Sequence, residues 1–234
     1  MTEASYLADS TARTFTGTVE RVLDDRVVLD RTLFYPEGGG QPADTGVLRF
    51  DGQEVPVVDV QKRDTIYHHV DGPTPGEGET VEGEIDWERR YAHMRYHTAQ
   101  HLLSAVLLEE YDAQTTGNQL YDDRARIDVA YPRFTEDDFT DVEAAVQAHI
   151  DADRAVTWEE WDRETAEAEL DPDRTRLDLL PDSITEVRIV EIAGIDRTAC
   201  AGTHVSSTGD LGAFSITGRE TKGSEEERLS FVLE

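Results

Sequence analysis

Over residues 14–86 the chain alternates apolar and polar positions in short runs: FTGTVERVLDDRVVLDRTLFY, then GVLRFDGQEVPVVDVQKRDTIYHHV, then the Pro/Gly-rich stretch DGPTPGEGETVEGEIDW. Val19, then Val27 and Leu29, then Leu33 keep a two-residue period, while Asp24-Asp25, Asp51-Gly52 and Asp71-Gly72 fall at turns. Short strands joined by tight turns predict a small β-barrel. At Trp87 the period changes. Glu88 to Glu110 contains no Gly or Pro and places Leu102, Val106 and Glu109-Glu110 on helical spacing, so a long helix is predicted there. A second helix is predicted over Thr135–Asp153, with Thr135 as N-cap, acidic residues in its first turn and Phe139, Val142, Val146 and Ile150 as its apolar stripe. A third covers roughly Arg163–Leu170.

Strands are predicted at Ala125–Tyr131, Ile184–Ile192, Ala213–Arg219 and Arg228–Leu233, with Lys222-Gly223-Ser224 turning the last hairpin. The fold class is therefore α+β: a small N-terminal β-barrel over 1–86, then an α+β domain over 87–234 with an antiparallel sheet and packed helices. No internal repeat is visible.

Composition changes this picture in two ways. There are 51 Asp plus Glu against 22 Lys plus Arg, a formal net charge of -29, and Lys62 and Lys222 are the only lysines. The periodic strands and helices argue against a disordered acidic chain. A salt-adapted cytoplasm fits better, because at molar salt the Debye length is about 3 Å and repulsion among surface carboxylates is screened. Such a surface neither supports nor excludes RNA. Counterion release contributes little at that salt, so an RNA-binding protein would depend on shape, hydrogen bonds and a few placed arginines. Secondly, the chain has one cysteine, Cys200, so no intrachain disulfide can form. No apolar run reaches the ~18 residues of a membrane span, and the first residues lack the basic-then-apolar order of a secretion signal, so a cytoplasmic protein is expected.

The candidate chemistry lies in two short segments. Residues four apart on a helix share a face, so His97 and His101 can present two imidazoles to one metal ion. His93 also lies four residues before His97, and spacing alone leaves open which pair binds. Cys200-Ala201-Gly202-Thr203-His204 follows an apolar strand and the Gly194 break, and adds a thiolate and an imidazole. Three histidines and one cysteine suit the tetrahedral habit of zinc, although cobalt or iron could occupy the same donors in a preparation.

His97-Thr98-Ala99-Gln100-His101-Leu102-Leu103 and Cys200-Ala201-Gly202-Thr203-His204 resemble the two zinc motifs of alanyl-tRNA synthetase editing domains and of their free-standing relatives, the AlaX proteins. Phe34-Tyr35-Pro36-Glu37-Gly38-Gly39-Gly40-Gln41-Pro42-Ala43-Asp44-Thr45-Gly46 resembles the glycine-rich motif of the preceding barrel, and Thr208-Gly209-Asp210-Leu211-Gly212 the stretch after the second zinc motif. With a barrel, and without an aminoacylation domain or a long carboxy-terminal extension, the chain resembles the medium-length class.

The resemblance implies hydrolysis of the ester in mischarged alanine tRNA, with seryl-tRNA as substrate and glycyl-tRNA left open. Zn2+ would be held by His97, His101, Cys200 and His204, with His204 open between ligand and base. Such a sieve is needed because an activating pocket separates amino acids that differ by one small group by only roughly 10². By segment, Thr116 is the candidate partner of the serine hydroxyl. Gly38, Gly39, Gly40, Gln41 and Asp44 are candidates to lean over the substrate, although three glycines alone also suit a bulged hairpin turn. Arg89, Arg90, Arg95 and Lys222 are candidates to grip the tRNA acceptor end. His68, His69 and His149 are expected on strand and helix surfaces, and Trp87, Trp158 and Trp161 in cores or interfaces. Two other classes stay open: a zinc hydrolase of a small ester or amide, which lacks an HExxH motif here, and a non-catalytic, zinc-stabilised RNA-binding module.

Overall fold

The computed structural model describes residues 2–172, 174, 175, 177, 180, 181 and 184–234. It is α+β and divides into two compact units, Met1–Met94 and Arg95–Glu234. The first unit carries β1 (Glu3–Ala4), β2 (Thr14–Leu23), β3 (Arg26–Leu29), β4 (Arg31–Thr32), β5 (Gly46–Phe50), β6 (Gln53–Lys62), β7 (Ile66–Val70) and β8 (Thr80–Ile85). Six of these close a barrel in the order β2-β3-β7-β6-β5-β8. Its core is the inward half of the alternating pattern: Val19, Val27, Leu29, Leu48, Val55, Val57, Val60, Val81 and Ile85, with Leu33 and Phe34 from the chain after β4. The turns fall where expected. Asp51 and Gly52 both take positive φ (46° and 72°), as a two-residue turn matched to the twist of a hairpin requires.

His68 departs from its expected surface position. It sits on β7 and is fully buried in the barrel. Its Nδ1 lies 3.1 Å from the Val27 carbonyl oxygen, to which it donates, so Nε2 accepts from the Thr32 hydroxyl at 2.8 Å. Burial pushes its pKa from 6.5 down to about 4. The folded barrel thus holds His68 neutral, while the unfolded chain takes up a proton as pH falls through 6.5. The stabilisation is complete above that value and is lost between 6.5 and 4, in total about 3 kcal/mol. The difference in unfolding free energy between wild type and His68→Gln should shrink by that amount from pH 7 to pH 4. A pH-independent difference would contradict the assignment.

The helix α1 (Trp87–Tyr111) runs as its uninterrupted sequence predicts. From Tyr96 to Leu107 every residue is buried, which is why its polar side chains must find partners. In the second unit α1 is followed by β9 (Gln114–Leu120), β10 (Ala125–Ala130), α2 (Glu136–Asp151), β11 (Val156–Asp162), α3 (Arg163–Glu169), β12 (Glu186–Ile192), β13 (Asp196–Ala199), β14 (Phe214–Thr221) and β15 (Glu227–Leu233). They form an antiparallel sheet β14-β15-β10-β9 and a smaller one, β11-β12-β13. Thr135 caps α2 in a capping box with Asp138, and Val142, Val146 and Ile150 are its buried stripe. Among the described residues no helix is long and apolar enough to cross a membrane.

Candidate metal centre

One turn of α1 separates His97 from His101, and both are buried, at 3% and 6% exposure. The other two groups come from the loop after β13. Its register with β12 pairs Ile189 with Ala199, and the Cys200 N–H continues that ladder to the Arg188 carbonyl at 3.0 Å. The Arg188 guanidinium then turns back on the same loop, donating to the carbonyl oxygens of Cys200 (2.8 Å) and Gly202 (3.0 Å). From the helix side, Thr98 Oγ1 accepts the Val205 N–H at 3.3 Å and lies 3.1 Å from His204 Nδ1. The loop is therefore fixed between a strand arginine and a helix threonine.

This brings four ligand atoms, one each from His97, His101, Cys200 and His204, within 4.8 Å of one another. Cys200 Sγ lies 3.5 Å from His97 Nε2 and 3.4 Å from His204 Nε2. Of the two helix pairs that spacing allowed, His97 and His101 are the pair in this group.

The electrostatics suit a cation. Burial raises the pKa of the Cys200 thiol, but the imidazoles of His97, His101 and His204 overcome that and hold it well below its usual value. The Gly202 N–H, 3.3 Å from the sulfur, adds a donor to the thiolate. Burial alone would depress His101; the Cys200 thiolate and the Asp196 carboxylate outweigh it and raise His101 to about 9. Burial, then His97, drives His204 down to about 3. A thiolate beside an imidazolium and a neutral imidazole is a donor set from which a metal displaces a proton.

Comparisons with known proteins give the site a family. A family model described as tRNA synthetases class II (A) matches residues 2–89, and one described as the threonyl and alanyl tRNA synthetase second additional domain matches residues 187–230. The alanyl-tRNA editing protein AlaX-M of Methanosarcina barkeri is 43% identical over 241 residues, covering 100% of this chain and 99% of that protein. The chain belongs to the AlaX-M family. The AlaX-M protein of Methanosarcina acetivorans is 42% identical over 243 residues at the same coverage. The alanine–tRNA ligase of Thermococcus kodakarensis is 38% identical over 236 residues, 99% of this chain but 26% of the ligase.

The other residues that the AlaX resemblance pointed to are placed quite differently. In the barrel, Gly38 to Gln41 form a tight turn closed by reciprocal backbone bonds, with Gly39 (φ 59°) exposed at its tip and Gly40 at φ 83°. Gln41 and Asp44 are fully buried. Asp44 accepts the Tyr35 N–H at 2.7 Å and receives the Arg90 guanidinium, with Nε 3.0 Å from each carboxylate oxygen and a very close bond from Nη2. Arg90 also donates to the Ser10 and Leu33 carbonyls and is itself fully buried. Neither Asp44 as a substrate contact nor Arg90 as a tRNA contact survives this. Together they form an internal brace of the glycine-rich segment. Gly46, which closes that segment, must be glycine because a Cβ would collide with the Glu84 carbonyl oxygen.

Arg89 is half-buried and donates to the Ala43 carbonyl at 3.2 Å. Arg95 donates to the carbonyls of Asp210 and Leu211, tying down the 3-10 turn at Thr208–Leu211. Lys222 alone of the four cations is exposed, in the β14–β15 turn. The three tryptophans lie against arginines: Arg13 over Trp87 (4.2 Å), Arg188 over Trp158 (5.0 Å) and Arg197 over Trp161 (5.5 Å).

Thr116 points away from the cluster. It is exposed on β9, with its hydroxyl 2.6 Å from Glu226 Oε1. Its neighbour Thr115 faces the other way and bonds closely to Ser104, one turn of α1 beyond His101. Ser104 in turn accepts from Arg174 at 2.9 Å. Of the two neighbouring threonines, it is Thr115 rather than Thr116 that meets the metal-site helix.

Proposed function

We propose that this aminoacyl-tRNA deacylase acts in trans on alanine tRNA carrying serine, with a zinc ion held by His97, His101, Cys200 and His204 at the reacting ester. The convergence of those four ligand atoms carries the proposal. Zinc bonds of about 2.3 Å to sulfur and 2.0 Å to nitrogen, at a tetrahedral angle, put the two donors about 3.5 Å apart. The two sulfur–nitrogen separations here are 3.5 and 3.4 Å, so the residues fit zinc.

When bound, zinc supplies a Lewis acid that polarises the ester carbonyl or lowers the pKa of a water. The chain supplies the rest. Both nitrogens of His204 are engaged, Nε2 toward the cluster and Nδ1 toward Thr98, which favours a ligand over a free base. Thr115 replaces Thr116 as the candidate partner of the serine hydroxyl, because it faces the helix turn next to His101. A polar group that bonds serine is left unpaired by alanine, a difference of about 1–3 kcal/mol. Lys222 is retained as a candidate contact for the tRNA acceptor end. The acidic surface suits the cytoplasm of a salt-accumulating cell.

The test is amino-acid release from purified seryl-tRNA and alanyl-tRNA in high salt, with and without chelator. Selective, chelator-sensitive release of serine is expected. Activity confined to small esters, or tRNA binding with no release, would favour the other two classes instead. Thr115→Val should lower seryl-tRNA hydrolysis about tenfold or more while leaving the alanyl-tRNA rate unchanged, and Thr116→Val should leave their ratio at the wild-type value. The opposite pattern would return the assignment to Thr116.

A further inference from the structure

We propose that Asp196 and Arg174 act as positioning residues that fix which nitrogen His101 offers to the metal, and so set how tightly the site holds it. The inference rests on the reading above that His101 is a ligand.

An imidazole binds a metal through a nitrogen that carries no hydrogen, so a ligand histidine works only if its other nitrogen keeps the proton. His101 Nδ1 lies 3.1 Å from Asp196 Oδ2. An ionised carboxylate only accepts, so Nδ1 keeps its hydrogen and Nε2 is the nitrogen that gives up its proton to a metal. The Asp196 side chain is 2% exposed, so its oxygens are committed to protein partners rather than to solvent.

A buried carboxylate can orient a ring only if it is itself held, and Arg174 does this. Its Nε lies 2.7 Å from Oδ1 and its Nη2 2.8 Å from Oδ2, a two-bond grip. The same Nη2 donates to the His101 carbonyl oxygen at 3.1 Å, and Nη1 to Ser104 Oγ at 2.9 Å. One guanidinium therefore locks the carboxylate to the helix turn that carries the histidine it orients. The carboxylate and the ring then move as one body, and the arginine keeps the buried negative charge compensated. Because Ser104 also bonds Thr115, the same guanidinium links the metal ligand to the candidate specificity residue.

The test compares wild type with Asp196→Asn, Asp196→Ala and Arg174→Met. Zinc affinity is measured by competition with a chromophoric chelator, and folding is checked by circular dichroism. Loss of the outer partner of a metal histidine weakens binding by about 10–100-fold, and that loss is expected for Asp196→Ala. Asp196→Asn keeps the shape and one acceptor oxygen, so it should fall between Ala and wild type. It also provides the readout if the alanine variant does not fold. Arg174→Met should weaken zinc binding while leaving all four ligands in place. A slowly exchanging ring N–H proton of His101, bonded to the carboxylate, should appear in the NMR spectrum of wild type and vanish in Asp196→Ala. A merely structural role would not move that resonance. Folded Asp196 and Arg174 variants that bind zinc as wild type does, with the ring proton unchanged, would overturn the proposal. Failure of the underlying ligand reading looks different, because the wild-type chain itself then takes up no zinc.

Discussion

Replacing Cys200 by alanine is expected to strip the metal and to lower deacylation of seryl-tRNA by about a thousandfold or more. The thiolate is the one anionic donor in the group of four, and the three imidazoles around it are neutral or positively charged without a cation. Its removal leaves three nitrogens and no anionic ligand to offset a divalent charge in a buried site. Metal-supplied charge stabilisation in a transition state is worth several kcal/mol, which sets the size of the fall. His97→Ala should act in the same direction, since it removes a ligand 3.5 Å from the sulfur. Cys200 is outside the barrel and holds no core position, so the variant should stay folded. Wild-type hydrolysis by a metal-free Cys200→Ala protein would remove the basis of the mechanism.

Arg90→Met is expected to destabilise the barrel unit by about 3–5 kcal/mol, the cost of leaving a buried carboxylate without its partner. Asp44 would keep the Tyr35 N–H but lose all of its bonds to the guanidinium, and both side chains are 0% exposed. Salt should not soften the effect, because screening acts on exposed charges and this pair is shut away from solvent. Adding Asp44→Leu should recover much of the loss, since replacing both members of a buried pair by apolar groups is often neutral. Denaturant unfolding of the four proteins of this cycle measures the coupling. Arg90→Met as stable as wild type, with weakened tRNA binding, would return Arg90 to the role its sequence suggested.

That reversal shows where the sequence was legible and where it was not. The helix over Trp87–Tyr111 was visible because 25 residues pass without a Gly or Pro. The start of α2 was visible because a capping threonine and three acidic residues announce it locally. The four clustered side chains could be singled out because two short spacing patterns, His97 with His101 and Cys200 with His204, each offer donors of the kind a metal takes, and the fold brings them together.

Other features depend on tertiary pairing. β9 (QTTGNQL) has no apolar alternation and is a strand only because β10 pairs with it, so Thr115 and Thr116 could not be told apart. In a strand, one residue decides the face. Charge at Arg90 and Asp44 looked like surface chemistry because nothing local says that 46 residues along the chain a buried partner is waiting. Arg174 and Asp196 lie 73 and 95 residues beyond His101 and meet it only in the fold.

The most direct measurement is zinc-edge X-ray absorption on the purified, folded chain, with metal content determined on the same sample. One zinc per chain is expected, bound by one sulfur at about 2.3 Å and by nitrogens at about 2.0–2.1 Å. An active protein with no bound transition metal, or zinc in a shell without sulfur, would contradict the ligand set on which the deacylation mechanism stands.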